Sequence, residues 1–561
     1  MFFLFTLYRA AEHQRPKQLL VNVPLRPAIN PRSIALVWVY LCASITAIAL
    51  CLVSQSGHAN PLPPNPVTIK VTEQVVEKDP NIAIKAAIPD DPEKGGPAAL
   101  RANWPITPAR IDAISPFVKE QIDTEFGTST HELPTSNNSG SRALMVGLQW
   151  LGAVIAIFLL IYTFRHILFT LNRLFGKQRH PYSDIDVANW PSVTVLIAAH
   201  NEEAVISGSI RALLEVDFPA DKLDIVPVND RSTDRTREII DKFVALYPNR
   251  IHPFHRIDGK PGKAAALKDA TVTVTSDIIV VFDADYIPSK GLIKQLVSAF
   301  FDPEVGAVMG RVVPLNVGTN LLTRLLDLER SAGYQVDQQA RMNLHLVPQY
   351  GGTVGGVRMR ALHSIGGWHD DVLAEDTDLT FRLLLRSWKT VYQNRCECYE
   401  EVPESWPVRY KQIKRWAKGH NQALFRHSAA LLRDRSLPTV ERLDGLLLLG
   451  VYMMSPIVII GWLIGILAFY FGDTPLAIGL LSIVAFTSYC TLGNFAAFFE
   501  IAAAVHLDYN HRRIRLLPFN LIGFIVSLVG ISEATLDQLL TDHLLHRRFH
   551  WDKTVRYRKE S

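Results

Sequence analysis

Cysteine is scarce in this chain: 561 residues carry five, Cys42, Cys51, Cys396, Cys398 and Cys490. Three lie in apolar runs, and Cys396 and Cys398 have no Cys or His partner at zinc spacing. That excludes a structural zinc site and reads as ordinary thiols in a reducing compartment. A charge of dominant sign is also missing. Lys and Arg total 58, Asp and Glu 54, and the net charge is +4, which gives no argument for nucleic acid as a partner. Two glycine motifs are absent as well. No G-x-G-x-x-G follows the first predicted strand, and Gly262-Lys263 is followed by Ala264 and lacks the first glycine of a P-loop. Dinucleotide-binding and P-loop functions fall with them.

What the chain does have is apolar sequence, at 48% hydrophobic residues. Ile34–Val53 and Ala143–Phe164 carry no charge, and Leu446–Phe471 is a third such run. Pro475–Val505 is broken only by Glu500, and Leu516–Ile531 is shorter and contains Pro518. About 20 apolar residues suffice for a spanning helix. The first run exceeds a signal-peptide core and follows too long a leader to be one, although Gly57-His58-Ala59 resembles a cleavage site.

Arg9, Arg15, Lys17, Arg26 and Arg32 precede the first run, which puts residues 1–33 in the cytosol. Residues 34–53 then cross, and residues 54–142, rich in proline near Pro61, Pro63, Pro64 and Pro66, form an outer linker. Residues 143–164 cross back. Arg165, Arg173, Lys177 and Arg179 follow, so residues 172–440 form a cytosolic domain. Residues 446–540 form a C-terminal membrane region of about three hydrophobic segments, and 541–561 a basic tail. Three single crossings would leave that tail outside, against its own charge. A cytosolic C-terminus is favoured, reached by an interfacial last segment or by an additional crossing in the fourth run.

Within residues 172–440, Ser192–Ala198, Asp224–Val228 and Asp277–Phe282 read as buried strands, alternating with helical runs at Ile206–Val216 and from Ser232 onward. This predicts an open α/β sheet with ligands at the C-terminal ends of its strands. Asp283 and Asp285 follow the third strand. Two apart in extended chain, they would point to one side and suit Mg²⁺ or Mn²⁺ holding a diphosphate. Asp230 ends the second strand, and Ser232 or Asp234 fits a helix cap. His200-Asn201-Glu202 ends the first strand. Glu375-Asp376 open an amphipathic run, Leu379–Trp388, where acids complement a helix dipole or supply a general base. Gln412, Arg415 and Trp416 stand at i, i+3 and i+4 and share a helical face. Arginine grips phosphate with two prongs, and tryptophan offers a flat face to a sugar ring. Lys411, Lys414 and Lys418 on the same helix suit a membrane interface.

These elements stand in a familiar order: His200-Asn201-Glu202, Asn229-Asp230, Gly262-Lys263, Asp283-x-Asp285, Glu375-Asp376 and Gln412-x-x-Arg415-Trp416. Over roughly 230 residues, from Ser192 to Gln422, the chain resembles the processive family 2 glycosyltransferases, the group of bacterial cellulose, poly-N-acetylglucosamine, chitin and hyaluronan synthases. The resemblance implies an α/β GT-A (Rossmann-like) cytosolic glycosyltransferase domain embedded between α-helical transmembrane segments of a multi-pass plasma-membrane protein. It implies that His200, Glu202, Asp230, Lys263, Asp283, Gln412 and Arg415 bind a nucleotide-sugar, and that Asp285 with Asp283 holds Mg²⁺ or Mn²⁺. Asp376 would be the base, and Trp416 and Glu375 would meet the acceptor. The implied partners are a UDP-sugar (UDP-glucose or UDP-N-acetylglucosamine), a growing β-linked polysaccharide that is also translocated, and the bilayer; other export subunits are a further candidate. Two departures bear on the acceptor: Ala374 stands where the family has Thr, and Gly351-Gly352-Thr353 where relatives carry Asn-Ala. Trp551-Asp552-Lys553-Thr554 resembles a short element that relatives place near the nucleotide.

The main alternative is a non-processive transferase adding one sugar to a lipid or glycan. A catalytically dead subunit conflicts with the intact carboxylate set. A transporter conflicts with the few spans and the isolated charge of Glu500.

Overall fold

The structure is a computed structural model that describes residues 139–181, 189–471 and 498–540. The chain divides into one compact unit of Met1–Asn30 with Met145–Ser561 and a second of Pro31–Leu144. The sheet and the cavity below belong to the first. The expected first span, the linker up to residue 138, residues 475–497 of the fourth run and the tail with Trp551 lie outside the described residues.

The described strands are β1 (Val193–Ala199), β2 (Leu223–Asp230), β3 (Phe254–Arg256), β4 (Ile278–Asp283), β5 (Ile287–Pro288), β6 (Val305–Pro314), β7 (Gly355–Arg358) and β8 (Lys389–Glu400). They form one mixed sheet in the order β3-β2-β1-β4-β7-β6-β8-β5. Strands β3, β2, β1 and β4 run parallel, and β7 is antiparallel to both β4 and β6. The helices used below are α1 (Ser139–Phe175), α2 (Ile206–Leu214), α3 (Thr236–Leu246), α4 (Lys263–Thr271), α5 (Leu321–Ala332), α6 (Glu375–Leu384), α7 (Trp406–Arg433), α8 (Thr439–Leu449), α9 (Met454–Phe471), α10 (Phe498–Leu507) and α11 (Asn520–Asp537).

The parallel strands are apolar on both faces because both faces are covered. Val193, Val195 and Ile197 of β1 join Ile278, Val280 and Phe282 of β4 in one core layer with Ile206, Ile210 and Leu213 of α2. The alternate residues Leu196, Ile279 and Val281 face the other layer, with Ala266, Leu267 and Ala270 of α4 and Leu379 and Leu383 of α6. Burying each such Val, Leu or Ile contributes about 1.5–3 kcal/mol. Hydrophobic burial therefore anchors β1 from both sides and fixes where its polar end emerges. The chain leaves β1 for β2 on one side and returns to β4 on the other. That reversal opens a crevice at the C-terminal ends of β1 and β4.

Two expected boundaries move. The helix after β2 begins at Thr236 rather than Ser232: Asp234 accepts the Thr236 N–H at 3.0 Å, whereas the Ser232 hydroxyl accepts the Asn201 N–H at 2.9 Å. The run expected to reach Trp388 stops as a helix at Leu384, and Ser387 turns to φ 60°.

Among the described residues, two helices are long and apolar enough to cross a membrane, by length and composition: Val146–Phe175 and His511–Leu540. A third candidate is the pair Thr439–Leu449 and Val451–Leu467, bent by 51°. The last segment is longer than its expected Leu516–Ile531, because Glu533 and Asp537 are not a break. They pair with Lys414 and Lys418 of α7. Lys414 and Lys418 thus serve a helix–helix contact. Arg165, expected to flank the membrane, lies within α1. It is buried between Asp444 of α8 at 2.8 Å and Asp337 at 3.3 Å, and Arg341 closes the ring on both acids at 2.6 and 3.0 Å. Glu500 is not isolated either, since its Oε1 lies 2.7 Å from His166 Nδ1 of α1, both fully buried.

Candidate active site

The eleven residues singled out by sequence, His200, Glu202, Asp230, Lys263, Asp283, Asp285, Glu375, Asp376, Gln412, Arg415 and Trp416, line one cavity of about 790 Å³. It sits at the crevice that the sheet topology opens. In register, Ala198 of β1 is level with Val228 of β2 and Asp283 of β4, so Asp230 and Asp283 flank the end of β1.

Asp230 holds four donors. Arg231 Nε and Arg256 Nη1 reach its Oδ1 at 2.9 and 2.8 Å, and Arg231 Nη2 and the Gly262 N–H reach Oδ2 at 3.3 and 3.2 Å. Burial disfavours its charge, but these bonds and the two guanidinium charges outweigh it and hold the carboxyl below its ordinary range. The Asp230 carbonyl lies 2.6 Å from His200 Nδ1. A carbonyl only accepts, so Nδ1 carries the proton in that bond.

Gly262 adopts φ +121°, a glycine conformation, and starts α4. Its neighbour Lys263 reaches Asp283 Oδ1 at 2.6 Å and the Gly352 carbonyl at 2.8 Å. One loop therefore ties Asp230 and Asp283 to the glycine segment on the acceptor side. Burial pulls the Lys263 ammonium down, yet the charges of Asp283 and Glu375 raise it overall. Asp285 departs from the extended geometry expected for it: β4 ends at Asp283 and Asp285 sits in the following turn. Both still reach the cavity, Asp283 partly open and Asp285 buried. No cluster of three His, Cys, Asp or Glu suited to a metal occurs among the described residues. Two hard carboxylates on one cavity nevertheless fit Mg²⁺ or Mn²⁺, which would complete their shells with waters and ligand oxygens.

Asp376 lies in the first turn of α6. Its Oδ1 accepts the Thr377 N–H at 2.6 Å, an acid in the first helical turn as the dipole argument expected, and Oδ2 is directed toward Gly352. Gly352 has φ +72°, and a Cβ there would stand 3.1 Å from Asp376 Cβ. Burial raises both carboxyls above their ordinary values, Glu375 to about 7, against the lowering effect of Lys263. Asp378 behaves differently. Although buried, it is bonded by His427, Arg382 and His369 and is held at about 2. It fastens α6 to α7.

Gln412, Arg415 and Trp416 reach the cavity from one face of α7. Arg409 binds Gln412 Oε1 at 2.7 Å, and the guanidinium carbons of Arg330 and Arg409 lie 5.2 and 5.1 Å from the Trp416 ring centre. The indole is thus engaged by two cations.

Sequence reasoning missed a further part of the wall. The segment Gly333–Gln338 is a π-helical turn, and Gly333, Tyr334, Asp337 and Gln338 all line the cavity. Behind Asp376, the Thr377 hydroxyl meets Gln349 Nε2 at 2.9 Å and His420 Nε2 at 3.2 Å. No motif marks these residues; only His420, four after Trp416, shared a helical face with something already flagged. Leu448 and Tyr452, on either side of the 51° bend, close the cavity's far side.

Known proteins resemble this part of the chain. The family described as Glycosyltransferase like family 2 matches residues 191–419, the span that holds all the motifs up to Trp416. The chain is 28% identical over 433 residues to the probable glycosyltransferase YdaM of Bacillus subtilis, 74% of this chain and 97% of that protein. It is 32% identical over 239 residues to a beta-monoglucosyldiacylglycerol synthase of Synechocystis, 43% of this chain and 50% of that one. Among solved structures, the mannosyltransferase PcManGT of Pyrobaculum calidifontis, in complex with GDP-Man and Mn²⁺, is 20% identical with a TM-score of 0.45, covering 67% of this chain and 99% of that one. Residues 191–419, which match the glycosyltransferase-like family 2, contain the whole of the described mixed sheet. The protein is a glycosyltransferase.

Proposed function

We propose that the protein is a membrane-embedded, inverting glycosyltransferase that draws on a UDP-sugar, UDP-glucose or UDP-N-acetylglucosamine, and extends a β-linked polysaccharide. The observation that carries the chemistry is Asp376. One oxygen is fixed by Thr377, and the other faces the Gly352 side of a cavity that Asp230, Lys263, Asp283 and Asp285 also line. In this reading Asp376 Oδ2 takes the proton of an acceptor hydroxyl. The acceptor oxygen bonds to the anomeric carbon, the bond from that carbon to the diphosphate breaks on the opposite face, and the electron pair leaves with UDP. In the same reading Lys263, Gln412 and Arg415, which line the cavity, hold the diphosphate. A Mg²⁺ or Mn²⁺ held by Asp283 and Asp285 would neutralise charge on the leaving group.

The polymer reading rests on Gln412-x-x-Arg415-Trp416 lining the cavity. A second reading, transfer of a single sugar to a lipid, is favoured by two observations. Arg330 and Arg409 engage the Trp416 ring, and Leu448 and Tyr452 bring an apolar, membrane-candidate segment to the cavity. The similarity to a glycolipid synthase points the same way. Incubation of the purified chain in lipid with radiolabelled UDP-glucose and UDP-N-acetylglucosamine, followed by product sizing, decides between them. A ladder of long products supports polymerisation, one chloroform-soluble product supports lipid glycosylation, and no turnover of any UDP-sugar rejects both.

A further inference from the structure

Arg231 is a non-glycine residue at φ 53°. That left-handed conformation is uncommon for a long side chain and persists only where its surroundings enforce it. Here the enforcement is visible: the Arg231 N–H donates to the Arg256 carbonyl at 3.0 Å, beside the β2–β3 pairing of Asp230 with Arg256. The result aims the Arg231 guanidinium back onto the residue before it. Two of its nitrogens hold the two oxygens of Asp230, and the third donates to the Gly259 carbonyl at 3.2 Å.

A carboxylate offers about four lone-pair sites. Those of Asp230 are met by two bonds from Arg231, one from Arg256 and one from Gly262. A fifth donor, such as the imide N–H of a uracil, needs one of them to leave. Arg256 is almost fully buried and also bound to Asp269 at 2.7 Å, and Gly262 is backbone. Arg231 is the more exposed arm and lines the cavity.

We infer that Arg231 competes with the nucleotide base for Asp230 and so sets the affinity for the donor nucleotide. The inference rests on the proposed function, with Asp230, implied above to bind the nucleotide-sugar, taken as the residue that meets the base. Removing the guanidinium frees two lone pairs, and a partly exposed pair of this kind is worth little by itself, so the gain is modest.

The test is calorimetric titration of the full chain in detergent with UDP. Arg231→Ala and Arg231→Gly, the latter keeping the left-handed backbone without strain, are expected to bind UDP roughly three- to tenfold more tightly than wild type. Arg231→Lys, which keeps charge but cannot grip both oxygens, should fall between. Equal or weaker binding by both Arg231→Ala and Arg231→Gly overturns the inference. If Asp230→Ala binds UDP as well as wild type does, the placement of the base fails, and the inference with it.

Discussion

Lys263 and Asp283 meet at 2.6 Å, and the same ammonium holds the Gly352 carbonyl. A residue from the helix after β3 thus sets the spacing between the carboxylate at the end of β4 and the glycine that abuts Asp376. Lys263→Gln should raise the KM for the UDP-sugar by about tenfold or more, the size expected for losing a charge-assisted bond. Steady-state kinetics over donor concentration check it. A KM within twofold of wild type refutes the role.

Asp376→Asn keeps the shape and loses the proposed base. Turnover should drop by about 10²–10⁴-fold while UDP affinity stays within about twofold. Single-turnover assays and UDP titration separate the two quantities.

Glu375 gives a pH signature. Its folded value is raised by burial to about 7, above the ordinary glutamate value of 4.5. The folded state therefore holds the proton more tightly than the unfolded chain. The stabilising contribution is complete below about 4.5 and is lost as pH rises to about 7. Glu375→Gln should flatten the fall in melting temperature across that window and gain relative to wild type at pH 8. Thermal melts of both proteins in detergent at several pH values would show it.

Gly419 packs so closely on α6 that a Cβ would lie 2.7 Å from Ala374 Cβ and 3.0 Å from its backbone nitrogen. The backbone cannot yield as a flexible side chain would. Gly419→Ala should destabilise the protein by about 1–3 kcal/mol and push α7 off the helix that carries Asp376, lowering turnover as well. Melting temperature and activity should fall together.

The buried ring of Arg165, Asp337, Arg341 and Asp444 joins α1 and α8 to the cavity wall. Arg165→Met leaves two buried acids sharing the single charge of Arg341 and should cost about 3–5 kcal/mol. Adding Asp444→Leu should recover part of it. Chemical or thermal unfolding of the single and double variants measures the coupling.

The donor side of this site was legible because its chemistry is local. Asp230, Asp283 and His200 each end a strand whose apolar run announces itself, and Gln412, Arg415 and Trp416 share a face by spacing alone. The rest depended on contacts between distant segments. Thr377, Gln349 and His420 meet only because three elements converge, and no short pattern joins residues 349, 377 and 420. Arg165 read as a flanking charge because its neutralising acids are 172 and 279 residues away. Lys414 and Lys418 read as lipid-facing for the same reason. The π-helical turn at Gly333–Gln338 has no composition that distinguishes it from an ordinary helix.

The bend between Leu449 and Val451 has a kinetic meaning. If the protein is membrane-embedded as proposed, the apolar helix pair that turns by 51° beside Leu448 and Tyr452 would give the cavity a wall continuous with the bilayer. On the second reading, transfer to a lipid, the acceptor arrives by lateral diffusion. The rate then follows its mole fraction in the membrane, and diluting the protein in buffer leaves that quantity untouched. The donor arrives in three dimensions and the acceptor in two, so detergent-to-protein ratio becomes a substrate variable in its own right.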